Sequence, residues 1–178
     1  MTMIGKIYLD SVLKRIAYYK SLGDQTIAVL TEQQLHWQPE GEPNSICHII
    51  KHMSGNMRSR WTDFLTSDGE KPWRNRDTEF EADDLSAAAI KQLWEDGWKC
   101  MLDAIGALQP ADLEKTVYIR NEPHIALDAI NRQLAHLPYH VGQIVYIGKM
   151  IKKNDWQSLS IPKGKSQDFN QEMFGKKQ

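Results

Sequence analysis

Two histidines four residues apart, His136 and His140, are the side chains of this sequence best suited to chemistry. Residues at positions i and i+4 of a helix lie on one face, one turn apart, so both imidazoles can reach a single point beside the helix. Imidazole nitrogens are common ligands of zinc, nickel and related metals. The pair therefore predicts half of a metal site.

A third ligand would come from another helix, because catalytic metal sites commonly use about three protein ligands and keep one position open. His36 and His124 lie in loop-like contexts near prolines, which leaves His48 and His52. His52 borders the apolar stripe of its predicted helix, whereas His48 is one turn from the helix start and is expected to face solvent. We favour His52 as the third ligand and keep His48 as the alternative.

Two other residues near the pair support a functional interpretation. Pro138 lies between the two histidines, inside an otherwise helical pattern. A proline there removes a backbone hydrogen bond at a cost of about 3 kcal/mol, and such conflicts persist at functional positions. Gln143 follows His140 by about one turn. Gln143 and Asn56 are candidates to orient a ligand or its substrate.

Three neutral imidazoles would leave the charge of a divalent cation uncompensated. Such an ion lowers the pKa of a bound water from ~15.7 to about 7 in favourable cases, and it stabilises a thiolate in the same way. Zinc and nickel suit imidazole and thiolate ligands better than magnesium or calcium does. The predicted chemistry is therefore the activation of a thiol or a water molecule.

Four long amphipathic segments position these side chains. Apolar residues recur at helical spacing over residues 4–30, 45–65, 83–108 and 127–153. Residues 66–82 predict an ordered loop, and residues 116–120 with 124–126 predict a small hairpin before the last helix. We expect an all-α, antiparallel four-helix bundle over residues 1–154. Residues 155–178 form a C-terminal tail that either packs on or near the bundle or is partly mobile.

Composition limits the partners. The chain has 178 residues, 41% of them hydrophobic, and a net charge of −1, which disfavours nucleic-acid binding. No stretch reaches the ~18 apolar residues of a membrane span, and the start lacks a signal pattern. Cys47 and Cys100 are far apart and suit free thiols. We expect a cytoplasmic protein with a small-molecule substrate and with neither nucleic-acid nor membrane partners.

The string HLPYHVGQI, residues 136–144, resembles the HxxxHxGQ signature of the DinB-like superfamily of small bacterial four-helix-bundle proteins. Residues 44–61 resemble its second helix, where a lone histidine supplies the third ligand. The stretches at 61–65, 70–77 and 160–166 resemble an uncharacterised branch of that superfamily.

This resemblance implies a divalent metal, zinc or nickel, bound by His52, His136 and His140, and it implies a homodimer. Characterised relatives include S-transferases and isomerases that depend on the thiols bacillithiol, mycothiol or glutathione. The superfamily shares its bundle and histidine triad more widely than any one reaction, so this branch's activity does not follow.

Two functional hypotheses remain. The first is a metal-dependent enzyme, a thiol S-transferase using a low-molecular-weight thiol or, failing that, a hydrolase. The second is a non-catalytic stress-response or binding protein with a structural or vestigial metal. Four arginines and Trp73 are candidates to bind carboxylates of a thiol cosubstrate, although a solvated face with surface ion pairs is the simpler interpretation. These arginines are Arg58, Arg60, Arg74 and Arg76.

Overall fold

The computed structural model describes residues 2–41 and 44–176. Within these ranges the α-helices are α1 (Thr2–Ala28), α2 (Glu32–His36), α3 (Ile46–Trp61), α4 (Ala87–Gly106), α5 (Ala126–Lys152) and α6 (Ser166–Gly175). The two strands are β1 (Thr116–Ile119) and β2 (Glu122–Ile125). The mainly helical structure confirms the predicted all-α class. Residues 1, 42, 43, 177 and 178, which belong to the predicted bundle and tail, lie outside the described residues.

Helices α1, α3, α4 and α5 form the bundle, with α3 packed mainly on α4 and α1 mainly on α5. The Tyr8 hydroxyl, near the start of α1, donates a hydrogen bond to the Leu127 carbonyl at the start of α5 (3.2 Å). At the other end, Lys152 donates to the Val29 carbonyl just after α1 (3.3 Å). Helices α1 and α5 are therefore parallel neighbours.

Residues 62–86 form a return segment that runs back along α3. Near the end of α3, the Ser59 hydroxyl donates to the Gly69 carbonyl (2.9 Å). Near its start, Lys51 donates to the Glu81 carbonyl (2.9 Å). The chain thus returns to the end of the bundle where α3 begins before it enters α4, so α3 and α4 run in one direction, opposite to α1 and α5. The predicted ordered loop is this return segment, and a long crossover permits parallel neighbours in a bundle.

Local capping explains where two helices depart from their predicted bounds. Helix α4 begins at Ala87 rather than at residue 83 or 84, because the Ser86 hydroxyl accepts a hydrogen bond from the Ala89 N–H (3.2 Å) and caps the helix there. Helix α3 ends at Trp61, before the predicted residue 65, and Asp63 has a φ of 50°.

The predicted hairpin is present, but its turn is shifted. Arg120 and Asn121 form the two-residue turn with φ angles of 55° and 63°, as a type I′ turn requires. We expected the turn at residues 121–123, yet Pro123 lies within β2, opposite Tyr118. Asp68 of the return segment accepts hydrogen bonds from both turn N–H groups (2.9 and 2.7 Å). The hairpin is thereby attached to the return segment beside α3.

The C-terminal tail contains a helix that the sequence reading did not predict. Helix α6 is exposed along its whole length, whereas Trp156 at the start of the tail is half-buried against Gly148 of α5. Three of the predicted core side chains, Trp61, Trp94 and Trp98, are buried at 2% exposure or less, whereas Ile7 of the predicted α1 stripe is 60% exposed. None of the helices in the described ranges combines the length and apolar character needed to cross a bilayer.

Candidate metal centre

Contacts in the first turn of α3 decide between His48 and His52 as the third ligand. The Ser45 hydroxyl accepts a hydrogen bond from the His48 N–H (3.2 Å), and His48 Nδ1 accepts one from the Ser45 N–H (3.3 Å). This reciprocal pair is a capping box, so the His48 ring is folded back on the helix start. His48 is only 6% exposed, and the expectation that it faces solvent was wrong. His52, one turn later, is the residue that reaches α5.

The three predicted ligands converge on one point between α3 and α5. His136 Nε2 lies 3.4 Å from His52 Nε2 and 3.0 Å from His140 Nε2. The three ligand atoms all lie within 4.8 Å of one another. Nitrogens bound tetrahedrally at about 2.0–2.1 Å from a zinc ion lie about 3.3–3.4 Å apart. The observed spacing fits a single ion, while metal binding itself stays a prediction.

Hydrogen bonds at the far side of two rings direct their Nε2 lone pairs inward. His52 Nδ1 donates to Glu79 Oε2 (2.9 Å), and His140 Nδ1 donates to Gln143 Oε1 (2.8 Å). An ionised carboxylate only accepts hydrogen bonds, so the His52 proton is on Nδ1 and its Nε2 is free to coordinate. The predicted orienting role of Gln143 is thus supported by a direct contact with His140. Asn56 contacts none of the three rings in this way.

Glu79 is a functional residue that the sequence analysis missed. It comes from a short 3₁₀ turn in the return segment, is 7% exposed, and accepts two hydrogen bonds from Arg74 (2.8 and 3.1 Å). Burial by itself would raise the pKa of Glu79, but the hydrogen bonds from His52 and Arg74 outweigh it and lower the pKa overall. Arg74, with a side chain 3% exposed, is therefore an internal partner of Glu79 and not part of a solvated face.

Two of the three histidines, His136 and His140, are kept in the neutral form that binds metals. Burial is the main reason why the pKa of His136 is lowered to about 3, and nearby His140, His52 and Arg60 lower it further. Burial also lowers the pKa of His140, against the opposing effect of its bond to Gln143. Since metal ligands must be deprotonated, these shifts favour coordination at neutral pH.

Comparison with known families matches residues 3–165 to a family described as "Protein of unknown function (DUF1572)". The chain belongs to the DUF1572 family. The matched range includes the four bundle helices, the return segment and all three histidines. Neither the curated proteins nor the solved structures yield a match. The description of the DUF1572 family names no activity.

Gly55 makes room for Glu79 in the DUF1572 centre. A Cβ atom at Gly55 would lie 2.1 Å from Glu79 Oε1 and 3.0 Å from Glu79 Cδ. The carboxylate can reach His52 only because this position on α3 has no side chain. A glycine inside a helical pattern costs about 1 kcal/mol relative to alanine, so Gly55 was a signal of close approach that the sequence offered.

Replacing Gly55 by alanine is expected to displace Glu79 and lower both stability and metal affinity. Overpacking at a buried contact costs about 1–3 kcal/mol, and losing an outer hydrogen bond to a ligand weakens metal binding by about 10–100-fold. Denaturant unfolding and zinc titration measure the two effects. Gly142→Ala is the matched control, since a Cβ at this α5 position meets no atom within 4 Å. Equal losses in both variants would contradict the role assigned to Gly55.

A second group of ligand-type side chains, His36, Cys47 and Asp83, does not fit a metal ion. His36 Nε2 donates to the Leu85 carbonyl (2.8 Å), which leaves Nδ1 as its one possible ligand atom, so the case against a metal rests on the other two residues. The Lys51 ammonium forms an ion pair with Asp83. Burial, and next the charge of Asp83, raise the pKa of the Cys47 thiol to about 12. This group is accordingly a polar packing cluster.

Proposed function

We propose that this protein is a divalent-metal-binding enzyme of the DinB-like superfamily. In this proposal, His52, His136 and His140 bind zinc or nickel, and the centre activates a thiol or a water molecule toward a small-molecule substrate. The observation that carries the proposal is the convergence of three Nε2 atoms at the spacing of one ion. The superfamily placement is supported by the HxxxHxGQ string together with membership of the DUF1572 family.

The ligand atoms of the centre favour zinc or nickel as the bound ion. Three neutral imidazole nitrogens suit zinc or nickel, whereas magnesium and calcium prefer oxygen ligands. When bound, such an ion supplies Lewis-acid chemistry that lowers the pKa of a coordinated thiol or water. Glu79 and Gln143 keep two of the imidazole rings in a fixed orientation and tautomer. His136 and His140 are only half-buried, which leaves one side of the centre accessible to a small molecule.

The number of ligands favours a catalytic over a structural metal. Structural zinc sites are almost always closed by four protein ligands, and catalytic sites use three. Within the described residues, no fourth histidine, cysteine or carboxylate joins the group. A cavity of about 130 Å³ is lined in part by His136, and a mainly apolar one of about 260 Å³ is lined in part by Gln143, the partner of His140. A thiol S-transferase is our first candidate reaction and a hydrolase the second.

Metal analysis followed by turnover tests this proposal. Elemental analysis of protein purified without added metal is expected to find about one zinc or nickel ion per chain. Glutathione or bacillithiol with an aryl halide is then expected to give turnover that chelation abolishes and zinc or nickel restores. Metal without turnover on a broad panel of thiol and ester substrates would favour the non-catalytic alternative. Protein that binds neither ion would overturn the proposal.

We further propose a homodimer. The start of α1 exposes three apolar side chains, Met3, Ile4 and Ile7, by 60–77%, and a second copy of the chain would bury them. Sedimentation equilibrium is expected to give twice the mass of one chain, and Ile4→Asp is expected to shift the protein toward monomer. A monomeric wild type would contradict this.

A cytoplasmic location is proposed as well, since Cys47 and Cys100 are both free thiols.

A further inference from the structure

The cavity of about 130 Å³ lies between α3, β1 and α5 and has His136 in its lining. Its polar lining consists of Asn56, Arg60, Arg132, Gln133 and His136. A water molecule takes up about 30 Å³ in the liquid, so the volume suits a few waters or one small polar group of a ligand.

Several buried donors at this cavity have no hydrogen-bond partner. Gln133 Nε2, Arg60 Nη1 and His136 Nδ1 are all unpaired among the described residues, and Gln133 is only 4% exposed. Gln133 Nε2 and Arg60 Nη1 are always donors, and His136 Nδ1 is one when His136 Nε2 binds a metal. Because buried polar groups are nearly always paired, these groups around one cavity indicate an acceptor that binds there. The Asn56 Oδ1 atom is also unpaired and would accept an N–H or O–H of the same ligand or of a water.

The charge around the cavity points to an anion. Burial lowers the pKa of Arg60; Glu70 opposes this, and Arg132 adds to it. Glu70 is already bound by the Arg120 guanidinium (3.1 Å), and Arg132 donates to His124 Nε2 (3.0 Å) rather than to a carboxylate. No ion pair of Arg60 occurs within the described ranges. No carboxylate of the described residues pairs directly with Arg60, so a negatively charged group in the cavity would compensate the charge of this partly buried guanidinium more fully than Glu70 does.

The three histidines differ in one respect that connects the cavity to the metal centre. His52 and His140 each donate from Nδ1 to an acceptor of the protein, Glu79 or Gln143, whereas His136 does not. We propose that a carboxylate group of the substrate binds in this cavity. It accepts hydrogen bonds from His136 Nδ1, Gln133 Nε2 and the Arg60 guanidinium, and so supplies the outer partner that His136 lacks.

The planar donors of Arg60 favour a carboxylate over a tetrahedral oxyanion, because a guanidinium matches the geometry of two carboxylate oxygens and the small cavity offers few further donors for a third and fourth oxygen. This inference rests on the proposed function in one respect: it takes the bound carboxylate to be part of the substrate that reacts at the three histidines. Gln133 Nε2 and the Arg60 guanidinium donate whether or not a metal is present, whereas His136 Nδ1 donates once His136 Nε2 binds the ion. Binding of the carboxylate therefore requires the cavity and is strengthened, but not created, by the metal. The two ideas can therefore fail separately.

Calorimetric titration of acetate and succinate into the full-length protein tests this inference, in both the metal-free and the zinc-loaded form. We expect saturable binding to both forms, with shifts of the Gln133 side-chain amide signals in NMR spectra. Arg60→Met and Gln133→Leu are each expected to weaken binding by at least about tenfold and to leave the zinc content unchanged. Arg60→Lys, which keeps the charge without the planar fork, is expected to weaken it less than Arg60→Met.

Arg58→Met is the matched control. Arg58 lies two residues earlier on α3, where its exposed guanidinium stacks over Trp73 (5.7 Å), so this change is expected to leave binding unaltered. No saturable binding to either form, equal losses in Arg58→Met and Arg60→Met, or tighter binding of inorganic phosphate than of both carboxylates would overturn the inference. If wild type binds no zinc, the proposed function fails, and the titration of the metal-free protein still decides whether the cavity binds carboxylates.

Discussion

Alanine in place of His52 is expected to remove the metal from the purified protein, whereas alanine in place of His48 is expected to leave it bound. His52 Nε2 lies 3.4 Å from His136 Nε2, while the His48 ring is bonded to the Ser45 N–H at the start of α3. Losing a direct ligand should weaken zinc binding by more than the roughly 10–100-fold caused by losing an outer hydrogen bond. Competition with a chromophoric chelator measures the dissociation constants.

His48→Ala controls for the general effect of removing a buried imidazole from α3. It breaks one half of the capping box, and we expect it to lower the free energy of unfolding by about 0.5–2 kcal/mol without changing the metal content. His136→Ala and His140→Ala are expected to behave like His52→Ala. If His52→Ala retained the metal and His48→Ala lost it, His48 and not His52 would be the third ligand.

Alanine in place of Glu79 is expected to destabilise the fold and weaken metal binding together. The change leaves the Arg74 guanidinium, whose side chain is 3% exposed, with only the more distant Glu70 carboxylate at 3.9 Å. Breaking a buried ion pair by removing one partner costs about 3–5 kcal/mol, and His52 loses its orienting acceptor, which should lower zinc affinity by about 10–100-fold. Denaturant unfolding of the metal-free protein and zinc titration separate the two effects.

Three further variants sharpen this prediction. Glu79→Gln keeps an amide oxygen that can accept from His52 Nδ1, so it should retain more zinc affinity than Glu79→Ala. Changing Arg74 and Glu79 to methionine together removes both charges, and the free energy of unfolding should recover part of the loss. Glu81→Gln alters an exposed residue of the same segment and serves as the control. Wild-type stability of Glu79→Ala would show that the buried ion pair with Arg74 has no structural role.

The parts of the site that the sequence predicted are those fixed by local geometry. His136 and His140 share a face because any helix places residues i and i+4 together, and α5 does run unbroken through Pro138. The choice between His48 and His52 was harder, although Ser45 followed three residues later by a polar side chain is itself a capping pattern. Reading His48 as part of that cap would have made His52 the stronger candidate from sequence alone.

The parts that were missed depend on contacts between distant segments. Glu79 reaches His52 across 27 positions because the return segment runs back along α3. No periodicity in residues 66–82 indicates that course. The same contact explains why Arg74 is buried, although its sequence context suggested a surface. Gly55, a glycine inside the predicted helix, indicates that another group approaches α3 closely. The sequence does not show that this group is the Glu79 carboxylate.

X-ray absorption spectroscopy of the zinc-loaded protein tests the central claim most directly, because it measures the ligands of the ion itself. Our account predicts three imidazole nitrogens at about 2.0–2.1 Å and at least one further nitrogen or oxygen scatterer from an exchangeable ligand. Addition of a thiol is predicted to introduce a sulfur scatterer at about 2.3 Å. A first shell with fewer than three imidazoles, or one closed by four protein ligands that a thiol leaves unchanged, would contradict an open three-histidine centre.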